Sequence, residues 1–165
     1  MARVVLRLGD DVSTDIIYPG RYMATVLPSE TPQYAFADEV EFHARLQDGE
    51  VPAGSIIVAG KNFGCGSSRE QAVSCLKGHE LVVVAHHFAR IFLQNSISVG
   101  LRTVICLHIE AKEGDDLEIT RQVVINKTSG KSFDVTPMPE ARQAIIDAGG
   151  LIPYTRRLLL ERERT

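Results

Sequence analysis

Between Ser55 and Cys106 the chain alternates short apolar runs with helix-like segments, and this alternation restricts the fold more than any other feature. Ser55-Ile-Ile-Val-Ala59 and Leu81-Val-Val-Val-Ala85 are continuous apolar stretches of strand length, as expected of strands covered on both faces. Leu101-Arg-Thr-Val-Ile-Cys106 is a third strand. Arg69 to Lys77 and Phe88 to Val99 read as helices between them, the second stopped by Gly100. Strand, helix, strand, helix, strand implies parallel β-α-β units with right-handed crossovers.

The first strand-to-helix connection is Gly60-Lys-Asn-Phe-Gly-Cys-Gly-Ser-Ser-Arg-Glu-Gln71. Its glycines at 60, 64 and 66 permit close backbone approach, and the helix beyond offers unpaired N–H groups and a positive dipole end, so the loop suits an anion. Two capping boxes compete there, Ser67 with Glu70 and Ser68 with Gln71. Either both serines are structural caps, or Ser68 caps and leaves the Ser67 hydroxyl free beside Arg69, where positive charge favours its deprotonated form.

Around this centre, Arg3 to Leu8 reads as a strand, and Asp11 to Gly20 as a structured loop in which Asp15 either forms an Asx turn or orients a cation. Helical tendency runs from Ser29 to Leu46, clearest after Asp38, which is placed to cap it; Val40 with Ala44, or Phe42 with Leu46, supplies its apolar face. Beyond Gly114 the pattern changes to three short strands, 116–120, 122–126 and 131–135, the last two joined by a turn at Thr128-Ser-Gly130. Two helices close the chain, Glu140 to Ala148 and about Leu151 to Arg162, the second ending in a solvated arginine-rich face.

The 165 residues, 44% of them hydrophobic, are enough for one core, and we expect a single domain over 1–165. A net charge of -3 with basic residues clustered only at the C-terminal end argues against a nucleic-acid partner. No apolar run approaches the ~18 residues of a membrane span, and Met1-Ala-Arg3 leads straight into a strand without a signal peptide, so a cytoplasmic protein is expected. Cys65, Cys75 and Cys106 lack C-x-x-C spacing, and His43, His79, His86, His87 and His108 lack ligand spacing, so no disulfide framework or metal site of its own is indicated. Cys65 is either a reactive thiol or a small residue filling a tight loop.

Three stretches, Val12-Ser-Thr-Asp-Ile-Ile-Tyr-Pro-Gly-Arg-Tyr22, Gly60 to Ala72 and Phe88 to Leu101, resemble the small subunit of 3-isopropylmalate dehydratase, the free-standing counterpart of the C-terminal swivelling domain of aconitase. Ala148-Gly-Gly-Leu-Ile-Pro-Tyr154 is similar too. The resemblance implies an α/β fold of the swivelling β/β/α type, with a mixed, largely closed sheet flanked by helices. It implies a large-subunit partner carrying a [4Fe-4S] cluster, with none bound by this chain. It also implies removal and re-addition of water on a hydroxy acid, converting 2-isopropylmalate to 3-isopropylmalate in leucine biosynthesis, with neither half active alone.

By the same resemblance Ser67 is the base, as an alkoxide, Ser68 and Arg69 hold a substrate carboxylate, and Asp15 lies at the active site and sets local charge. Tyr22, Met23, Ala24 and Thr25 occupy the specificity loop, where relatives accepting an extra carboxylate have arginine at the position of Ala24. An uncharged residue there favours an apolar substituent, although a shifted loop would present Arg21 instead. The alternatives are a sister dehydratase for dimethylmalate, methylmalate (citraconate) or homoaconitate, or a non-catalytic anion-binding module.

Overall fold

The computed structural model describes residues 1–165. Strand β1 (Ala2–Arg7) pairs in parallel with β2 (Ile56–Ala59), which pairs in parallel with β3 (Val82–Ala85), and β3 with β4 (Thr103–Ile105). On its other edge β1 pairs antiparallel with β5 (Asp116–Ile119), followed by β6 (Val123–Asn126) and β7 (Ser132–Asp134), also antiparallel. The resulting order is β4-β3-β2-β1-β5-β6-β7. The two ends of the sheet meet: Thr136, just past β7, donates its N–H to the carbonyl of Ile105 in β4 at 2.8 Å, and the Cys106 thiol donates to the carbonyl of Asp134 at 3.3 Å. This is the largely closed mixed sheet that the family resemblance implies.

Strand alternation sorts the apolar residues into two cores, which is why the parallel strands are apolar on both faces. Val5, Ile57, Ala59, Val83 and Ala85 face the helices α3 (Glu70–Gly78) and α4 (Arg90–Val99), meeting Ala72, Val73, Cys75, Leu76 and Phe92. Val4, Ile56, Val58, Val82, Val84 and Val104 point the other way, onto Leu117 and Val124 of the antiparallel half. Each fully buried Val, Ile or Leu contributes about 1.5–3 kcal/mol, so both cores stabilise the layered arrangement of helices, parallel strands and antiparallel strands.

Several local expectations need correction. Asp11 to Gly20 is not wholly irregular, because Thr14–Ile17 forms a short helix, α1, whose Ser13 Oγ accepts the Asp15 N–H at 3.1 Å. The segment before α2 (Val40–Gln47) contains a 3-10 turn at Thr31–Tyr34, and α2 begins after Glu39 without a side-chain cap. Asp38 binds Arg21 instead, through two hydrogen bonds of 3.0 and 2.6 Å. Phe42 and Leu46 form the buried face of α2, whereas Val40 is 75% exposed. Neither capping box at 67–71 forms: α3 starts at Glu70 after Arg69, with no side-chain cap. Arg69 instead extends away from the helix end, a competition that local sequence cannot reveal.

The remaining helices are α5 (Glu140–Asp147) and α6 (Leu151–Glu163). Gly100 ends α4 at φ 85, as the sequence suggests, and no side chain of α6 is buried. No helix is long and apolar enough to cross a membrane.

Candidate active site

The loops leaving the carboxyl ends of the parallel strands extend the sheet by single bridges, Ser13 with Cys65 and Phe63 with Phe88. Three connections are thereby tied side by side at the sheet edge where open α/β folds bind ligands. Thr14 N donates to Cys65 O and Gly64 N to Val12 O, both at 2.8 Å, while Ala89 N donates to Phe63 O at 2.9 Å. Phe63 lies edge-on to Phe88 and to Phe92, with ring centroids 5.9 and 5.2 Å apart, and so pins the glycine loop to the start of α4.

Gly64 is the tightest point of this junction. It has φ 85, and a Cβ added there would come within 2.2 Å of the Phe92 ring. The Gly64→Ala variant should lose about 2–5 kcal/mol of stability, summing left-handed strain and crowding, as measured by denaturant unfolding of the isolated chain.

Between residues 64–69 and the first turns of α4 lies a cleft of about 600 Å³. One wall carries Ser67, Ser68 and Arg69; the other carries Arg90, Ile91 and Asn95. Ser67 and Ser68 are exposed, and neither hydroxyl has a protein partner, but the Ser67 carbonyl accepts from the buried Thr14 hydroxyl at 2.8 Å. Thr14 thus fixes the peptide that presents both hydroxyls. The second wall was not nominated from the sequence, because Phe88 to Val99 reads foremost as a core helix. Exposed Ile91 and the unpaired Arg90 show that one face of its first turn serves the cleft.

Arg69 is held from below, its side chain only 15% exposed. Its Nη1 donates to Asp15 Oδ1 at 2.5 Å and to Tyr18 O at 3.1 Å, leaving Nη2 and Nε without protein partners. Asp15 Oδ1 also accepts the Gly20 N–H at 3.0 Å. Asp15 therefore orients a cation, while the Asx turn is not formed, because its carboxylate accepts from a backbone N–H five residues on rather than two. The Arg69 hydrogen bond, then that of Gly20, then the Arg69 charge hold the Asp15 carboxyl below its ordinary value. Asp15 bonds to Arg69 and does not line the cleft.

Residues Tyr22, Met23, Ala24 and Thr25 lie outside the cleft lining. Tyr22 ends a 3-10 turn at Gly20–Tyr22 and the other three follow it, tied down by Gln71 Nε2 donating to Met23 O at 3.3 Å. Tyr22 stacks on Tyr34 with centroids 4.1 Å apart, and the Tyr18 hydroxyl donates to Tyr22 O at 3.0 Å. Ala24 is exposed. Arg21 lies over the Tyr22 ring at 4.6 Å and binds Asp38, an anchorage that a shifted loop would have to break.

The chain's own residues do not fit a metal centre. No three His, Cys, Asp or Glu side chains converge. Cys75 is buried in the helix-side core, where desolvation raises its pKa; Cys106 is buried in the core between the sheet halves, its pKa raised to about 11 by desolvation; only Cys65 borders the cleft.

Fold and site together define a class. Residues 16–109 match the aconitase C-terminal domain, covering the glycine loop and both cleft walls. The small subunit of 3-isopropylmalate dehydratase from Methanosarcina mazei is 42% identical over 160 residues, 94% of this chain and 96% of that protein. The isopropylmalate/citramalate isomerase small subunit of Methanocaldococcus jannaschii is 40% identical over 163 residues, 95% and 94% of the two chains. A crystal structure of 3-isopropylmalate dehydratase from the same organism superposes with a TM-score of 0.86 at 38% identity, covering 99% of this chain and 98% of the other. The chain belongs to the family of 3-isopropylmalate dehydratase small subunits.

Proposed function

We propose that this chain is the small subunit of a hydro-lyase that isomerises 2-isopropylmalate to 3-isopropylmalate in leucine biosynthesis, and that it supplies the base and the carboxylate contacts of a site shared with a large subunit. The observation that carries this reading is the arrangement of two unpartnered serine hydroxyls on a fixed peptide beside a guanidinium with free donors. Arg69 is suited to a substrate carboxylate because its free Nη2 and Nε present two parallel N–H groups, with the Ser68 hydroxyl adding a third donor. Ser67 then removes the proton alpha to that carboxylate, a weakly acidic C–H whose abstraction requires a positioned base.

An alkoxide at Ser67 requires positive potential. Asp15 offsets much of the Arg69 charge, so Arg90 on the opposite wall and the amino ends of α3 and α4 are the remaining sources within this chain. By the family resemblance, an iron-sulfur cluster belongs to the large subunit in this reading. Ile91, exposed at the cleft wall, suits a face that a partner covers. A cytoplasmic location is consistent with this role.

Mixing the chain with a large subunit of this enzyme should give turnover of 2-isopropylmalate, followed by absorbance of the unsaturated intermediate, with neither chain active alone. Binding of hydroxy acids by the isolated chain, without activity in the mixture, would favour an anion-binding module instead.

In this reading the choice of substituent falls to residues 22–25. Exposed Ala24 has no charge for a further carboxylate, which favours an alkyl group, and Arg21 is occupied by Asp38. The relative named for both isopropylmalate and citramalate fits a loop tolerant of alkyl size. Ala24→Arg should shift the ratio of kcat/KM toward acids with an additional carboxylate by about two- to fivefold, roughly the effect of one exposed charge pair. An unchanged ratio across an acid panel would remove these residues from substrate selection.

A further inference from the structure

Helix α6 lies beside α4 and α5, yet it buries none of its own side chains. Its start is fixed, because the backbone of Gly149 and Gly150 runs against the end of α4, where a Cβ on Gly100 would fall 2.4 Å from the Gly149 carbonyl. Tyr154 alone among its residues is not exposed, so the side that carries Tyr154 faces the protein. Ile152, Leu159 and Leu160, exposed by 72, 55 and 54%, are turned away from it. A 13-residue helix is marginal in water without tertiary packing, and these three side chains contribute none to the fold. They mark a surface that another molecule covers.

The charges on this face identify that molecule. Ile152, Arg156, Leu159, Leu160 and Glu163 recur at i, i+4, i+7, i+8 and i+11, which places them in one stripe. Arg156 and Glu163 have no ion-pair partner within the chain, and at about 10 Å apart along the axis they are too distant to pair with each other. A second α6 laid antiparallel, with a two-fold axis between Leu159 and Leu160, brings Arg156 of each copy level with Glu163 of the other. Leu159 and Leu160 of both copies then meet at the centre, with an Arg–Glu pair on either side. A stripe complementary to itself under a two-fold rotation is what an isologous interface requires. Parallel pairing would instead set arginine against arginine and glutamate against glutamate.

We propose that this stripe is a self-association surface, through which two copies of the chain pair with their α6 helices antiparallel. The proposal stands independently of the hydro-lyase reading, since no residue of α6 lines the cleft.

The test is sedimentation equilibrium of the full chain from about 10 µM to about 1 mM, because one helix pair buries less than the ~1,200 Å² of stable interfaces and gives a weak dimer. The mean mass should rise with concentration toward that of two chains. Leu159→Gln combined with Leu160→Gln should hold it at one chain, with an unchanged melting temperature in dilute solution, since neither side chain is buried. Arg156→Glu alone and Glu163→Arg alone should each weaken association about tenfold, through two like-charge contacts per dimer. Both reversals in one chain should restore the parental affinity to within about threefold, because each pair re-forms with its signs exchanged. The proposal is overturned if the chain stays monomeric over this range, if the leucine variant associates like the parent, or if the double reversal is as weak as the single ones. It is overturned equally if the leucine variant loses only its binding to the large subunit, which would assign the stripe to that partner.

Discussion

Ser67→Ala, reconstituted with the large subunit, should lower kcat by about a thousandfold with KM changed by no more than a few fold, because a general base acts on the transition state far more than on the bound acid. The variant should fold like the parent. The Ser67 side chain is exposed and bonds to nothing, and the one contact this residue makes is through its backbone carbonyl, which alanine keeps for the Thr14 hydroxyl. An unchanged melting temperature with lost turnover therefore separates chemistry from packing. Ser68→Ala provides the contrast: losing a carboxylate contact should act mainly on KM. If Ser67→Ala turned over at close to the parental rate, the proton would have to go to another group, and Ser68 would be the next to test.

Both serines illustrate what local sequence conveys and what it does not. S-x-x-E and S-x-x-Q are real capping signals, but the first turn of α3 goes uncapped by either, with Arg69 directed to Asp15, 54 residues distant, and to the carbonyl of Tyr18. Long-range ion pairs of this kind leave no periodic trace. Asp38 shows the same competition, being placed to cap α2 and drawn instead to Arg21. The parallel strands were readable because their two-sided burial writes itself as unbroken apolar runs, and Gly100 because a left-handed helix stop demands glycine.

Closure of the sheet by the bond from Thr136 to Ile105 was expected only by resemblance, since one backbone hydrogen bond has no residue signature. The second cleft wall was hidden for a related reason. Phe88 and Phe92 are core residues at helical spacing, and the eye follows them, while Arg90 and Ile91 between them face solvent. A helix that buries one face and lends its first turn to a site looks like any amphipathic helix until the neighbouring loops are placed.

Arg69→Lys should reduce kcat/KM about a hundredfold, raising KM and lowering kcat together, a loss comparable with one or two charged hydrogen bonds. Lysine has a single ammonium with three donors, of which Asp15 and the Tyr18 carbonyl would claim two, leaving at most one in place of the parallel pair for the substrate. Near-parental kinetics would remove Arg69 from substrate contact. Asp15→Asn separates positioning from proton transfer. Asparagine Oδ1 still accepts from Gly20 and Arg69 but without charge, so a smaller loss of about tenfold is expected. The pH dependence decides the role. The Asp15 carboxyl has its pKa lowered in the fold relative to the usual 3.8, so the pair contributes fully above that value and is lost only as pH falls through the lowered one. Asp15 is therefore ionised throughout the neutral range, and because its charge offsets that of Arg69, Asp15→Asn should make Ser67 easier to deprotonate and move the acidic limb of the kcat/KM profile to lower pH while the alkaline limb stays in place. Loss of a limb in the variant, rather than its displacement, would show that Asp15 exchanges a proton during turnover, and the residue would then join Ser67 in the chemistry.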